Sequence, residues 1–398
     1  MASDARYAYP YSVAPMMGVT DRHWRYFARG LSARTLLYTE MYVDNTLVHN
    51  PNGLGPFLGR SAEDEPLALQ LGGNDPETLA AAADLACAYT EYVEVNLNCG
   101  CPSAVVATRH EFGARMMLDP ERTARCVSAL VRRVGHKAPV TVKHRLGTDV
   151  GGADYATTLA FVMACRQAGA RHFVLHARMA VLGVRMSCAS NRSVPPLEPA
   201  AAHKLRRDVP DCTFAVNGGL QTLVECRAHV QGDWAGEEAL PPVDSAMVGR
   251  SAWYTPWDTL ARADTVMFGA AGNMATTRRA ALERYVDYAD AMRPDIDTAE
   301  SHLIAPLHYL FGGESRAKAF RTHLAQACVQ RSRSKKSFDE MPPCSEVVYN
   351  CLKAAGIEEA SLDRHADDAK KGPPAKTGYD AATTAWTTCD DGAMGSPD

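Results

Sequence analysis

The sequence predicts an α/β fold, a (β/α)8 barrel, followed by a smaller all-helical domain. Three observations predict it. Over the first 260 residues, short β-branched or apolar runs alternate with longer helical patterns. Eight such runs occur, and eight strand–helix units in about 250 residues are what a closed parallel barrel requires. Residues 275–356 then read as consecutive amphipathic helices with no strand between them.

In chain order the predicted strands are YSVAPMM (11–17), TLLYTEMYV (35–43), LALQLGG (67–73), VEVNLNC (93–99), VTVKHRL (140–146), HFVLHAR (172–178), TFAVNGG (213–219) and SAMVGRS (245–251). Helical stretches separate them. DPETLAAAADLACAY (75–89) has Asp75 as cap and Pro76 in its first turn. Residues 119–135, 155–169 and 222–231 supply further helices, and GDWAGEEALPPV (232–243) reads as a surface insertion before the last strand. The expected organisation is a barrel over 1–260, a helical domain over 261–356 and an acidic tail over 357–398. That tail is rich in Asp, Ala, Thr, Gly and Pro and is expected to be disordered.

No apolar run approaches the ~20 residues a membrane helix needs. The N-terminus MASDARYAYPYSVAP lacks a charged-then-apolar secretion pattern, so a cytoplasmic or organellar location is expected. Twelve scattered cysteines fit reduced thiols in a cytosol-like compartment. Only Cys99 and Cys101 are close neighbours. A disulfide across one residue is strained, and with no second close pair and no CxxC a metal site is not expected.

The net charge of −4 is unevenly placed. Residues 357–398 hold nine acidic and four basic side chains, which leaves +1 for residues 1–356. Within that part, SRAKAFRTHLAQACVQRSRSKKS (315–337) carries seven Lys/Arg and no acid. A solvated helix face explains most such runs; a phosphate footprint needs independent support.

The chemistry collects where the strands end, the face on which barrels of this type place their active sites. Strand three ends near Gln70, strand four at Asn96, Asn98 and Cys101, and strand five at Lys143 and Arg145. Strand six ends at His176 and Arg178, strand seven at Asn217, Gly218 and Gly219, and strand eight at Gly249 and Arg250. One buried Gln or His is more often a satisfied core residue than a ligand, but six strands ending this way form a pattern. Glycines after strands seven and eight let backbone N–H groups approach an anion, and Arg250 adds charge, as in the usual phosphate site of the barrel. Tight turns that simply need glycine are the plainer alternative.

The motifs YSVAPMMGVTDRHWRYFAR, TLLYTEM, LALQLGG, VNLNCGCPS, VTVKHRLG, HAR, NRSVPPL, NGGL and MVGRSAW, in this order, resemble the tRNA-dihydrouridine synthases, in particular the bacterial DusA type. The resemblance runs from about residue 9 to 336 and includes HLIAPLHYLFGGESRAKAFRTHL. It implies an FMN-dependent reductase with NADPH as electron donor and tRNA as partner, with no stable protein partner. Pro15, Met16 and Met17 would line the flavin ring, Gln70 and Lys143 would bond its polar edge, and His176 would contact it. Asn217, Gly218, Gly219, Gly249 and Arg250 would hold the FMN phosphate. Asn98 and Arg178 would face the uracil, with Arg185 and Arg192 as further substrate contacts, and Arg316, Lys318 and Arg321 would contact RNA. Cys101 would be the proton donor. The implied substrates are D-loop uridines 20 and 20a.

That assignment agrees with the chemistry of the base. Hydride added at C6 of the conjugated C5=C6 bond places negative charge on O4, and C5 then takes a proton from a donor that must start neutral. A thiol of ordinary pKa, near ~8.5, meets that need at pH 7, the reverse of a nucleophilic cysteine. Cys99 is left to pack as a small apolar residue.

Two departures from the family pattern stand out. The run CPSAVVATRHEFGARMM is one residue longer than usual, and Cys188-Ala189-Ser190 stands where a lysine is expected before Asn191-Arg192, with Arg185 as its replacement. Three rival functions remain at this level: a flavin reductase of free pyrimidines, a lysine-imine aldolase using Lys143, and a non-catalytic RNA-binding relative.

Overall fold

The computed structural model describes residues 7–183, 186–234, 240–293, 301–333 and 340–369. Eight parallel strands form one sheet: β1 (Tyr11–Val13), β2 (Leu37–Val43), β3 (Leu67–Gly72), β4 (Glu94–Cys99), β5 (Val140–Arg145), β6 (His172–His176), β7 (Thr213–Asn217) and β8 (Ser245–Val248). The strand order is β1-β8-β7-β6-β5-β4-β3-β2. A parallel bridge between Ser12 and Leu36 joins the two ends, with Val13 N donating to Leu36 O at 2.9 Å and Leu36 N to Tyr11 O at 3.1 Å. The sheet therefore closes into a barrel, as the alternation of strands and helices predicts.

Each predicted strand contains an observed one, and the caps explain where helices begin. Asp75 accepts from Thr78 N at the start of Pro76–Tyr89, and Asp119 accepts from Arg122 N before Pro120–Val134. Asp154 caps Tyr155–Gln167, and Thr222 with Glu225 forms a capping box for Leu223–Gln231.

The strands are buried on both faces, as a parallel sheet covered by helices must be. Their period of two sorts the side chains. Tyr38, Ala68, Val174, Ala215 and Met247 fill the lower interior as a small separate cluster. Their neighbours Leu37, Leu67, Leu69, Val95, Leu97, Phe173, Phe214 and Val216 join the main core with the helices. Cys99 belongs to that second set and is fully buried, with Cys126 and Cys165 close enough to influence its thiol.

The helical region consists of Arg278–Met292, a short helix at Ser301–Ile304, a 3-10 turn at Ala305–Tyr309, Ala317–Arg333 and Cys344–Ala355. It packs on the barrel helix Arg22–Leu31: Tyr26 stacks on Tyr288 with centroids 3.8 Å apart, and the His23 ring lies 2.9 Å from the Tyr288 hydroxyl. Buried Arg278 binds Glu314 at 2.6 Å and lies over the rings of Trp257 and Phe311.

Two expected boundaries shift. Ala263–Phe268 stays with the barrel, because the buried Asp264 carboxylate accepts from Ala33 N, Arg34 N and the Ser32 hydroxyl of the β1–β2 connection. The chain also remains folded past residue 357. Glu359–Leu362 is helical, Leu362, Ala366 and Ala369 are buried, and Arg278 donates to Ser361 O at 2.7 Å. Apolar residues at 357, 360, 362, 366 and 369, recurring every two to four positions within this acidic stretch, were the overlooked signal. Residues 370–398 lie outside the described residues, as does most of the 232–243 insertion's middle, 235–239. A chain ending at Gly356 should lose on the order of 2–4 kcal/mol relative to one ending at Ala369, from Leu362 burial and the lost hydrogen bonds. Urea unfolding of the two truncations checks this, and equal midpoints would refute it.

Candidate active site

The upper interior of the barrel is polar, and its side chains form one chain of hydrogen bonds. Asn98 Nδ2 donates to Gln70 Oε1 at 2.8 Å, Gln70 Nε2 to Asn96 Oδ1 at 2.8 Å, and Asn96 Nδ2 to Thr141 Oγ1 at 2.8 Å. Asn98 Oδ1 accepts from Gly100 N at 3.1 Å and from Cys101 N at 3.0 Å. That pair of bonds fixes the backbone where β4 leaves the barrel.

Three further contacts hold Cys101 at the rim. Arg145, nearly fully buried, donates through Nε to Gly100 O at 2.9 Å and through Nη1 to Met179 O at 3.1 Å and Asn191 O at 2.9 Å. It thus ties the loop after β4 to the loop after β6. Ala114 N donates to Cys101 O at 2.9 Å. Gly113, at φ +63°, approaches so closely that a Cβ there would lie 2.6 Å from Cys101 O, so only glycine fits. Between them Val105–Arg109 forms a π-helical turn. A π turn holds one residue more than an α turn, which accommodates the longer run found in the sequence.

The two cysteines therefore differ in environment. Cys99 points outward into the helix layer and is fully buried, whereas Cys101 is half-buried at the mouth. Burial, with the neighbouring Cys188 thiol second, pushes Cys101 up to about 11, against the pull of Arg145 and Arg192. The thiol is protonated throughout the neutral range.

On the next strands round the barrel, β5, β6 and β7, lie Lys143, His176 and Asn217. Lys143 Nζ donates to Asn217 Oδ1 at 3.2 Å, and Asn217 Nδ2 donates to Met247 O at 2.7 Å. Burial, then Arg145, lowers Lys143 to about 7. His176 is held well below its ordinary value by burial and by Arg145, Lys143, Arg178 and Arg192. All the charges acting on His176 are positive, so this corner of the rim favours an anion.

The glycines after β7 are required where they stand. Gly218 has φ +106°, and a Cβ there would lie 2.7 Å from His176 Cδ2; Gly219 has φ +76°, with Leu197 Cδ2 2.4 Å from such a Cβ. Gly249 lies beside Ala14 and Met16 Sδ, which brings the loop after β1 against the end of β8. Arg250 donates to Arg192 O at 3.3 Å, and Arg178 donates to Ser193 O at 3.4 Å and to Pro195 O. The buried Nε atoms of Arg178 and Arg192 have no hydrogen-bond partner within the protein.

Of the sequence-derived residues, the structure gathers Gln70, Asn98, Cys101, Lys143, His176, Arg178, Arg192, Asn217, Gly218, Gly219, Gly249 and Arg250 around one mouth. Pro15 and Met16 border it half-buried, and Met17 is 54% exposed. Arg185 lies outside the described residues. Arg316 and Lys318 are exposed on the helical region, while Arg321 lies over the Tyr309 ring at 5.1 Å. Tyr309 in turn contacts Trp253 and Tyr254 in the short helix that follows β8. Within the same basic run Arg331 is buried, donating to Pro342 O at 2.9 Å, and serves packing rather than a solvated face. Sequence reasoning gave no role to Thr141, Glu94 and Gly113; the inward register 94, 96, 98 on β4 and 141, 143, 145 on β5 was the signal for the first two.

Residues 12–353 match the family described as Dihydrouridine synthase (Dus). The chain is a member of the dihydrouridine synthase family. It is 40% identical over 330 residues to the tRNA-dihydrouridine(20/20a) synthase of Pseudomonas putida, covering 83% of this chain and 92% of that protein. The proteins of the same name from Shewanella oneidensis and Synechocystis sp. are 38% and 37% identical, over 79% and 81% of this chain and 88% and 90% of theirs. The match spans the barrel and the helical region, so this dihydrouridine synthase carries both parts of its relatives.

Proposed function

We propose that this chain reduces uridines 20 and 20a of the tRNA D-loop to 5,6-dihydrouridine, using FMN and NADPH, in a reducing, cytoplasm-like compartment. The observation that carries the reading is the gathering, at the C-terminal ends of neighbouring strands, of a neutral thiol at Cys101, the buried Lys143 and His176 side chains and the guanidinium of Arg250. The activity for which the relatives are named supports it.

The residues fit FMN. Gly218 and Gly219 hold a positive-φ turn after β7 whose backbone N–H groups a phosphate can approach, and Arg178, Arg192 and Arg250 add positive charge beside it. Gln70 uses only one proton and one lone pair within the interior chain, so each end of its amide keeps capacity for a flavin edge. Bound FMN, once reduced by NADPH, supplies the hydride that uracil C6 receives. Cys101 donates the proton to C5 from the other face of the base, and its raised pKa keeps that proton in place beforehand. Lys143 and His176 supply a cation or hydrogen bonds where charge builds on O4. Asn98 and Arg178 orient the base. The target uridine is inside a folded RNA and must leave its stack to reach the mouth; Arg316, Lys318 and Arg321 hold the surrounding phosphates.

Two measurements test this. The purified protein should show flavin absorbance, and incubation with NADPH and unmodified tRNA should produce dihydrouridine at positions 20 and 20a. A colourless protein with no product would refute the reading. Replacing Arg316, Lys318 and Arg321 together by alanine should weaken tRNA binding and reduce the slope of log K against log salt by about 2–3. Flavin content and NADPH oxidation without tRNA should not change; an unaltered salt slope would place the RNA contact elsewhere.

A further inference from the structure

The hydrogen-bond chain that ends at Cys101 begins at the opposite end of the barrel, on a buried carboxylate. Glu94 opens β4 and is 1% exposed. Its Oε2 accepts from the Tyr7 hydroxyl at 2.7 Å, and its Oε1 accepts from Thr141 Oγ1 at 3.1 Å and from the Tyr38 hydroxyl. Tyr7 is stacked on the His172 ring, with centroids 3.6 Å apart. Burial raises the Glu94 pKa, while the three hydroxyl donors pull it down.

The direction of every link follows from its two ends. Thr141 donates its one proton to Glu94, so towards Asn96 Nδ2 it can only accept. That turns Asn96 Oδ1 to Gln70, Gln70 Oε1 to Asn98, and Asn98 Oδ1 to the loop. Backbone N–H groups only donate, so Gly100 N and Cys101 N demand the same orientation of Asn98 from the other end. No link is frustrated. Three interior amides, each able to flip, are set in one orientation by one buried carboxyl group and two loop amides.

We propose that Glu94 is a positioning residue for the reaction: through Thr141, Asn96, Gln70 and Asn98 it fixes the Cys101 loop and the amide faces at the mouth. The inference rests on the proposed role of Cys101; Glu94 also accepts from three buried hydroxyls, so its share in folding has to be separated from its share in positioning. The Glu94 surroundings include Tyr7, Tyr38 and an apolar lower interior, where a leucine would fill the space and avoid burying a charge. Leucine would also leave the Tyr7, Tyr38 and Thr141 hydroxyls without their acceptor, so lost stability alone does not separate a structural role from a positioning one; the reactivity of Cys101 in the folded protein does.

The test uses the full-length protein and two readouts: alkylation of Cys101 by iodoacetamide at fixed pH, followed by peptide mass spectrometry, and dihydrouridine formed at saturating tRNA. Glu94→Leu should alkylate about tenfold faster at Cys101 and turn over about tenfold more slowly, while Glu94→Gln, which keeps an acceptor for Thr141, should recover most of both. Thr141→Val, close in shape, should resemble Glu94→Leu, and it serves if the leucine variant does not fold. Asn98→Ala combined with either should add nothing to alkylation beyond Asn98→Ala alone. Val95→Ala, which removes a core side chain on the outward face of β4, should leave Cys101 alkylation unchanged. Leucine equal to or better than glutamine, or additive effects of Asn98 and Glu94, would overturn the proposal. If alkylation follows Glu94 but turnover does not, the relay stands and the role given to Cys101 fails instead.

Discussion

Cys101→Ala should form dihydrouridine roughly 10²–10⁴-fold more slowly than the parent, the cost of a lost general acid. The variant should still bind flavin and accept electrons from NADPH at the parent rate, because the thiol serves neither step. Cys99→Val should remain active. Cys99 faces the helix layer and is fully buried, so its replacement is a packing change with at most a modest loss of stability. The thiol of Cys101, raised to about 11, stays protonated as pH rises from 6 to 9, so its proton is not lost over that range. Lys143, lowered to about 7, is cationic below that pH and loses its charge above it. A fall in turnover between pH 7 and 9 should therefore persist in Cys99→Val and disappear in Lys143→Arg, if that variant still binds flavin. Product measured in unmodified tRNA, beside the rate of flavin reduction, checks each variant. Equal losses in Cys99→Val and Cys101→Ala would sink the single-acid mechanism.

Arg250→Ala should purify with far less flavin and regain activity when FMN is added in excess. Removing one member of a buried charge pair costs about 2–5 kcal/mol, which corresponds to roughly 30- to 4,000-fold in affinity. The neighbouring Arg178 and Arg192 keep the site cationic, so the lower part of that range is the expectation. Gly219→Ala should act in the same direction by a different route. It places a Cβ 2.4 Å from Leu197 Cδ2 on a backbone at φ +76°, so the turn must shift although no charge is removed. Added FMN should rescue Arg250→Ala more completely than Gly219→Ala. Flavin occupancy equal to the parent's in both would place the phosphate elsewhere.

Much of this site was legible in the chain because the signals are local. Asp-Pro pairs at 75–76 and 119–120 start helices whatever surrounds them. Apolar runs of strand length fix the eight strands, and a parallel barrel puts all their C-terminal ends on one rim. Polar residues at those ends therefore had to meet, which is why Gln70, Asn98, Lys143, His176, Asn217 and Arg250 could be grouped before any coordinates. The short "NCGC" run also separates its two cysteines by an even number of residues, so spacing alone would have put them on the same face had the strand continued. The strand instead ends at Cys99, and Asn98, Arg145 and Gly113 turn the next residues toward the mouth.

Tertiary structure alone decided the rest. Whether Glu359–Leu362 folds depends on Arg278, Arg279 and Glu314, which lie 45 to 84 positions away in sequence. Arg331 could be told from Arg316 only by the helix that covers it. The linkage of Glu94 to Cys101 passes through β3 and β5, so it exists only once the register pairs Gln70 with Asn96 and Asn96 with Thr141. Composition and periodicity determine which residues face inward, because they are properties of one strand at a time. Which inward residues touch, and hence which proton each one holds, is a property of neighbouring strands and is set only when the barrel closes.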